Sequence, residues 1–171
     1  MEIKVRKYED GDIADMVRIW NQVVEEGVAF PQEDFLTEET GREFFARQDT
    51  CGAAVNETGR VVGMYILHPN NIGRCGHLAN ASYAVSREER GAGVGRALVE
   101  HSLKTAKEMG YRIMQFNAVV RSNLAARNLY LNMGFIPLGT IFDGFRMKDG
   151  TYEAIVPYYY DLTKEQNETS F

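Results

Sequence analysis

Hydrophobic positions recur with two different periods along this chain, and the change from one period to the other predicts its first elements. Residues 3–8 alternate between apolar and charged side chains, which is typical of a strand. In the next segment the apolar residues are spaced three and four apart, which places them on one face of a helix. That face consists of Ile13, Met16, Val17, Trp20, Val23 and Val24. Asp10 or Asp12 can cap this helix, and Gly27 ends it.

The same reasoning gives the remaining elements. Thr37 caps a short helix that runs through Arg47. Strands 51–56 and 60–67 are separated by Glu57-Thr58-Gly59, which predicts a hairpin. After them the pattern predicts strand 77–85, helix 94–109, strand 113–120, helix 124–133, strand 135–142, a loop over 143–150 and strand 152–162.

The order of these elements determines the fold class. Hairpin strands come first and strand–helix–strand crossovers follow, so the chain is an α/β protein with a mixed central sheet of about seven strands and about four flanking helices. A length of 171 residues favours one domain, which we assign to residues 1–162. The polar residues 163–171 form a tail that we expect to be frayed.

Composition and charge exclude several classes of partner. The formal net charge is -5 and no run of Lys and Arg exceeds two residues, which argues against nucleic acid and anionic membranes. No apolar run approaches the ~18 residues of a membrane span, and the N-terminus lacks signal-peptide features. Cys51 and Cys75 have no metal-ligand spacing and are expected to be reduced thiols. We therefore expect a cytoplasmic protein, with an acidic surface compatible with an amine substrate.

A glycine-rich segment, Arg90-Gly91-Ala92-Gly93-Val94-Gly95-Arg96, joins strand 77–85 to helix 94–109. Alternate glycines let successive N–H groups face one concave space, and the helix N-terminus adds partial positive charge, so the segment predicts a pyrophosphate cradle. A nucleotide P-loop would need Gly-Lys-Ser/Thr, and a dinucleotide fingerprint would need Gly-x-Gly-x-x-Gly. The chain has neither, and a plain tight turn remains the alternative.

A second motif starts after the following strand, with Asn123-Leu124-Ala125-Ala126-Arg127-Asn128-Leu129-Tyr130 and then Gly134-Phe135. The two motifs together, in this order and at this separation, resemble the GNAT superfamily of acyl-CoA N-acyltransferases over nearly the whole chain. The resemblance implies direct transfer of acetyl from acetyl-CoA to an amine in a ternary complex. It also implies a V-shaped splay between strands 77–85 and 113–120, and a homodimer. His68 and His101 have no companions at metal spacing, so no metal is expected.

The resemblance also implies roles for individual residues. Backbone at Tyr83, Ala84 and Val85 pairs with the pantetheine arm, and N–H groups across Arg90–Arg96 hold the pyrophosphate. Asn123 matches a position that contacts pantetheine, and Asn128 of the same motif is placed with the cofactor-binding residues. Tyr130 matches the general acid near the sulfur. The predicted catalytic residues are thus Tyr130 and Asn123, and a phenol of pKa about 10 can protonate a thiolate whose own pKa is ~8.5.

The general base is not assigned. Many members of the superfamily carry Glu or Asp on the strand before the glycine loop, whereas strand 77–85 has neither. Proton removal then runs through ordered water or through a carboxylate from elsewhere, such as Glu33 or Asp143. His77 begins the strand, but a lone histidine there is more often a structural donor than a base.

Candidate acceptor residues are less directly indicated. Asn80 and Asn117 lie inside strands, where asparagine is disfavoured, so they either point into the V to orient a substrate or pair with neighbouring backbone. Phe30 and Phe35, between the first two helices, are candidates for the substrate wall. The run His77-x-x-Asn80-Ala81, followed by Phe116-Asn117-x-Val119 and Asn123-x-Ala125, also resembles acetyltransferases that act on proline-like imino acids such as L-azetidine-2-carboxylate. The N-terminal half more generally resembles small-molecule and phosphinothricin-type acetyltransferases. The predicted acceptor is a small amine such as an amino or imino acid. The alternatives are a peptide or protein N-acetyltransferase, and a CoA-binding sensor without catalysis.

Overall fold

The computed structural model describes residues 2–164, which contain four helices and eight strands. The helices are α1 (Ile13–Glu26), α2 (Glu38–Ala46), α3 (Val94–Glu108) and α4 (Leu124–Asn132). The strands are β1 (Lys4–Lys7), β2 (Thr50–Val55), β3 (Val61–Pro69), β4 (Leu78–Val85), β5 (Ile113–Val120), β6 (Ile136–Pro137), β7 (Ile141–Arg146) and β8 (Tyr152–Asp161). Of the predicted tail 163–171, all but the first two residues lie outside the described part of the chain.

The strands form one mixed sheet in the order β1-β2-β3-β4-β5-β8-β6, with β7 also paired to β8. β4 and β5 are parallel and pair at only two positions, Leu78 with Ile113 and Ala79 with Met114. Beyond these pairs the two strands separate, although each keeps its antiparallel neighbour on the other side. The predicted α/β fold, with a V-shaped opening in the middle of the sheet, is therefore confirmed.

The C-terminal strands differ from the prediction in one place. The single strand predicted at 135–142 is wrong, because the chain breaks there into β6 and β7. Gly139, between them, has φ +134°, which does not continue a strand. The loop predicted at 143–150 is also wrong in its first half, because β7 continues to Arg146. This strand reaches Arg146 through an irregularity in its pairing with β8 that includes Asp143 at φ +54°.

Helices cover both faces of the sheet. On one face α1 and α2 bury Met16, Ile19, Trp20 and Phe45, each at most 1% exposed. Two of the predicted caps are confirmed: Gly27 is left-handed with φ +63°, and the Thr37 hydroxyl accepts a hydrogen bond from the Thr40 N–H at 3.1 Å. The side-chain cap predicted at Asp10 or Asp12 is wrong, because the Asp12 carboxylate accepts instead from Arg6 and from the Glu9 N–H. No helix among residues 2–164 is long and apolar enough to cross a membrane.

On the opposite face, α3 lies very close to the centre of the sheet. A Cβ atom at Gly63 of β3 would come within 2.7 Å of the Val94 side chain, so only glycine permits this approach. Val94 is the first residue of α3, and the glycine loop immediately precedes it. The contact therefore brings the glycine loop against the end of β4, beside the V.

The polar residues under α3 make the stability of this face of the sheet depend on pH. The Tyr65 hydroxyl lies 2.9 Å from His101 Nδ1 and donates to the Thr105 hydroxyl at 3.4 Å. Burial, together with the nearby Lys104 ammonium, lowers the pKa of His101 below its ordinary value despite the opposing charge of Glu108. The folded protein therefore holds a neutral imidazole here at neutral pH.

We expect the melting temperature to fall as the pH is lowered from 7.5 to 5. Below about pH 6.5 the unfolded chain takes up the His101 proton before the folded chain does, so protonation favours unfolding. Above that pH His101 is neutral in both the folded and the unfolded chain, so it does not make the melting temperature depend on pH. Calorimetry at several pH values, with His101→Gln as the control, measures the effect. The variant should have a shallower slope than the native chain, and identical slopes would contradict the assignment.

Candidate functional site

A groove of about 840 Å³ lies between the glycine loop, the end of β4 and the start of α4. Most of the residues predicted to bind the cofactor line it together: Tyr83, Val85, Arg90, Gly91, Gly93, Gly95, Arg96, Asn123 and Tyr130. The side chains of Ala84 and Val94 are instead buried in the two cores, and Ala92 and Asn128 are exposed and do not line the groove. Two motifs almost thirty residues apart in sequence thus form one surface.

The backbone of the glycine loop has the geometry of an anion site. Gly91 and Gly93 have φ +80° and +84°, and a Cβ at either would meet no atom within 4 Å. These glycines are therefore required by backbone conformation rather than by packing. The first helical hydrogen bond of α3 runs from the Ala97 N–H to the Gly93 carbonyl at 3.1 Å. The N–H groups of residues 94–96 precede it and have no acceptor within the helix, so they are available to phosphate oxygens.

The open edge of β4 supplies a second set of backbone groups. The Ser86 N–H donates to the Val62 carbonyl of β3 at 2.9 Å. Backbone groups alternate in direction along a strand, so Ala84 also faces β3, whereas Tyr83 and Val85 face the V. Of the three residues predicted to pair with a pantetheine arm, two therefore direct their N–H and C=O groups into the opening, and Ala84 does not.

Asn123 begins α4 and has a structural contact of its own. Its side-chain oxygen accepts a hydrogen bond from the Ala126 N–H at 3.2 Å, which caps the helix. The residue also lines the groove and the cavity inside the V. Its Nδ2 group therefore remains the part of the side chain that can contact a ligand.

Tyr130 lies where the groove and the V meet, and it lines both. Its ring is half-buried among aromatic side chains, with centroid distances of 4.6 Å to Phe116, 5.5 Å to Phe135 and 5.7 Å to Tyr158. Burial, with a smaller contribution from Tyr158, raises the pKa of Tyr130 above its ordinary value of about 10. The phenol is therefore protonated at neutral pH and can donate a proton but not accept one.

Inside the V is a smaller cavity of about 220 Å³, lined by both predicted asparagines and by Phe30. The Asn80 Nδ2 donates to the Gln115 carbonyl at 2.8 Å, just beyond the last β4–β5 pair, so it closes the base of the V. The Asn117 amide is exposed and exchanges hydrogen bonds of 2.6 and 3.1 Å with Asn70. Asn117 Oδ1 also accepts from Gln115 Nε2 at 3.2 Å. Asn80 thus pairs with neighbouring backbone and Asn117 with two side chains, yet both remain at the cavity wall.

A third cavity, of about 550 Å³, lies between the α1–α2 loop and the β7–β8 hairpin. Phe30 lines both this cavity and the one in the V, although it is 9% exposed and packs on Trp20 at 4.4 Å. Phe35 is 61% exposed and lines only the third cavity, so the structure does not bring it to the asparagines.

The two carboxylates considered as bases lie outside the V. Glu33 lines the third cavity, where it forms an ion pair with Arg146 at 2.6 Å. Asp143 lines none of the three cavities described above. The described residues that line the V cavity include no carboxylate, imidazole or ammonium group, and their titratable side chains are Tyr83 and Tyr130.

Glu26 is a groove residue that the sequence reasoning missed. It is the last residue of α1, and its carboxylate binds Arg90 at 2.8 and 3.1 Å. One signal was available in the sequence, because Glu25 and Glu26 place two negative charges at a helix C-terminus, where the helix dipole disfavours them. Among residues 2–164 there is no cluster of three or more His, Cys, Asp or Glu side chains arranged for a metal ion.

Comparison with known proteins agrees with this geometry. The sequence profile of the acetyltransferase (GNAT) family matches residues 15–135. N-acetyltransferase aca1 of Schizosaccharomyces pombe is 26% identical over 158 residues, which cover 82% of this chain and 76% of the yeast protein. Peptidyl-lysine N-acetyltransferase YjaB of Escherichia coli is 29% identical over 136 residues, or 79% and 82% of the two chains. A GCN5-related N-acetyltransferase from Kribbella flavida superposes with a TM-score of 0.86 at 31% identity and covers 93% of this chain and 97% of its own.

Proposed function

This chain belongs to the acetyltransferase (GNAT) family, and from that premise we propose that it acetylates the amine of a small molecule, such as an amino or imino acid, by direct transfer from acetyl-CoA. The observation that carries the proposal is the position of Tyr130. Its side chain lines both the groove beside the glycine loop and the cavity inside the V. A thioester in the groove and an amine in the cavity would therefore meet at one phenol.

Acetyl-CoA fits the groups that line the groove. The N–H groups of residues 94–96 and the open glycine backbone would hold its pyrophosphate, and the backbone of Tyr83 and Val85 would pair with its pantetheine arm. The side-chain amide of Asn123 would contact the same arm. When bound, acetyl-CoA supplies a thioester carbonyl that an amine can attack.

The residues of this chain then assist the transfer in two ways. N–H donors on the open edge of β4 stabilise the negative charge that develops on the carbonyl oxygen. The Tyr130 hydroxyl, which is protonated at neutral pH, donates its proton to the departing sulfur as the C–S bond breaks, and the proton that the amine loses restores the hydroxyl through solvent. The V cavity offers no ionisable base among its described residues, so the amine loses its proton to a water held by the Asn80 and Asn117 amides. Glu33, in the adjoining cavity, is the alternative acceptor of that proton.

The size and charge of the site support a small acceptor. A cavity of about 220 Å³ is below the ~300–1,000 Å³ that drug-sized ligands occupy. The net charge of -5 attracts amines in their cationic form. The amides of Asn80 and Asn117 would orient the carboxylate of an amino or imino acid.

One observation favours acetylation of a peptide or protein as the second candidate. The third cavity, of about 550 Å³, adjoins the V at Phe30 and would give an extended acceptor room. The similarity to an Escherichia coli protein named as a peptidyl-lysine N-acetyltransferase supports the same alternative. A CoA-binding sensor without catalysis is disfavoured by the presence of Tyr130 in the site. The homodimer and the cytoplasmic location stay predictions.

An acceptor panel tests the proposal. The purified chain is incubated with acetyl-CoA and with amino acids, imino acids, polyamines, and peptides that carry a free N-terminus or lysine, and the release of free CoA thiol is followed. We expect the highest kcat/KM for an amino or imino acid. Turnover of peptides alone would favour the second candidate. Binding of acetyl-CoA without turnover of any acceptor would favour the sensor.

A further inference from the structure

The carboxylate of Glu26 lies in the groove and forms an ion pair with Arg90, the first residue of the glycine loop. The side chain is 25% exposed, and its two oxygens accept hydrogen bonds from both terminal nitrogens of Arg90, at 2.8 and 3.1 Å. Burial alone would raise the pKa of Glu26, but the guanidinium groups of Arg90 and Arg87 outweigh it and lower the pKa. The pair is therefore ionised on both sides at neutral pH.

The two arginines that contact Glu26 depend on it to different degrees. Arg87 donates from Nε to Glu26 at 2.9 Å, but its Nη2 also donates to Glu25 at 2.7 Å and to the Gln22 carbonyl at 3.2 Å. The Arg90 side chain has Glu26 as its only hydrogen-bond partner among residues 2–164. Removal of the Glu26 charge would thus free Arg90 and leave Arg87 anchored.

We propose that Glu26 and the pyrophosphate of the cofactor compete for the Arg90 guanidinium, so that Glu26 limits the affinity for acetyl-CoA and CoA. The inference rests on the proposed function of the glycine loop as the pyrophosphate site. Arg90 lines the groove together with Gly91 and Gly93, and its planar fork of N–H groups suits phosphate oxygens as well as a carboxylate. Glu26 already accepts from both terminal nitrogens of Arg90, so a pyrophosphate oxygen must displace it or share the guanidinium with it, and two negative groups in one groove repel each other.

This competition affects the product as well as the substrate. Acetyl-CoA and CoA carry the same pyrophosphate, so a carboxylate that returns to Arg90 weakens both complexes and speeds the departure of CoA. In many enzymes product release limits turnover. Glu26 in this sense sets the affinity for the cofactor and the rate at which CoA leaves.

The variant Glu26→Gln tests the proposal by titration calorimetry with acetyl-CoA and with CoA. The amide keeps the size of the side chain and removes its charge, so we expect both ligands to bind about threefold to tenfold more tightly. The gain should shrink at high salt, because screening weakens the repulsion that the variant removes. The melting temperature of the ligand-free variant should fall by a few degrees, since the ionic fork to Arg90 is lost.

Matched controls distinguish competition for Arg90 from a general effect of negative charge in the groove. Glu89 also lines the groove but makes no hydrogen bond to Arg90, so Glu89→Gln removes only the repulsion of a groove carboxylate and should give a smaller gain in affinity than Glu26→Gln. S-acetylpantetheine, which lacks the pyrophosphate, should bind the native chain and Glu26→Gln equally. In an Arg90→Gln background, Glu26→Gln should give a smaller gain than in the native chain, because only the charge repulsion is then removed.

An unchanged or weaker affinity of Glu26→Gln for acetyl-CoA would overturn the proposal, because Glu26 would then only hold the loop in shape. An equal gain in Glu89→Gln would also overturn it, since the effect would come from net charge and not from Arg90. The proposed function is judged by a different result, namely whether the native chain binds acetyl-CoA. Failure of the inference therefore leaves that function standing.

Discussion

Replacement of Tyr130 by phenylalanine is expected to lower kcat by about 10²-fold to 10⁴-fold, the usual contribution of a positioned general acid. The hydroxyl lies at the junction of the groove and the V, and its raised pKa keeps it protonated. Phenylalanine preserves the ring contacts with Phe116 and Tyr158, so the fold and the affinity for acetyl-CoA should change little. Steady-state kinetics with the best acceptor of the panel, together with cofactor titration, measure both quantities.

Tyr160 provides the control for this substitution. It belongs to the same aromatic cluster, with its ring 5.0 Å from Phe135, but it lines neither the groove nor the V cavity. Tyr160→Phe should therefore retain the native kcat. Unchanged turnover in Tyr130→Phe would remove this residue from the mechanism, and an equal loss in both variants would assign the effect to packing.

Replacement of Gly93 by valine is expected to raise the Kd for acetyl-CoA at least about tenfold. The residue has φ +84°, where an L side chain costs roughly 1–2 kcal/mol, and a β-branched side chain is especially unfavourable. Its Cβ would also project into the open space that the pyrophosphate is proposed to fill. The loop backbone would either be strained or leave the left-handed conformation, and in both cases its N–H donors would no longer point at the ligand. Titration calorimetry measures the change.

Gly59 offers a closely matched comparison for Gly93. It has φ +81°, a Cβ there would also meet open space, and it lies in the β2–β3 turn away from the groove. Gly59→Val should therefore lose a similar amount of thermal stability while its affinity for acetyl-CoA stays native. Equal affinities in the two variants would contradict the role of the glycine loop.

Local patterns were sufficient to predict the elements that line the groove. The apolar stripe of α1, the left-handed cap at Gly27 and the strand–glycine–helix order around Gly93 each depend on neighbouring residues, so the sequence carries them directly. The V did not follow from periodicity. It depends on β4 and β5 pairing at two positions and no further, which only the resemblance to a family implied.

Features set by distant contacts were missed for a physical reason. The division of residues 135–146 into β6 and β7 depends on pairing with β8, which lies later in the chain. The contact between Glu26 and Arg90 joins residues 64 positions apart, beyond the reach of any helical or strand period. Phe30 and Phe35 lie in the same loop and have the same side chain. Only Phe30, which packs against Trp20, lines the V cavity.

The most direct test of the central claim is the melting temperature of the native chain with and without acetyl-CoA. Ligand at about one hundred times its Kd stabilises a protein by roughly 2.7 kcal/mol. For a chain of this size that corresponds to an increase of roughly 5–10 °C. We predict such a rise, which continues to grow with the logarithm of the acetyl-CoA concentration above the Kd. No shift at millimolar acetyl-CoA would contradict the assignment of the glycine loop and its groove as the cofactor site.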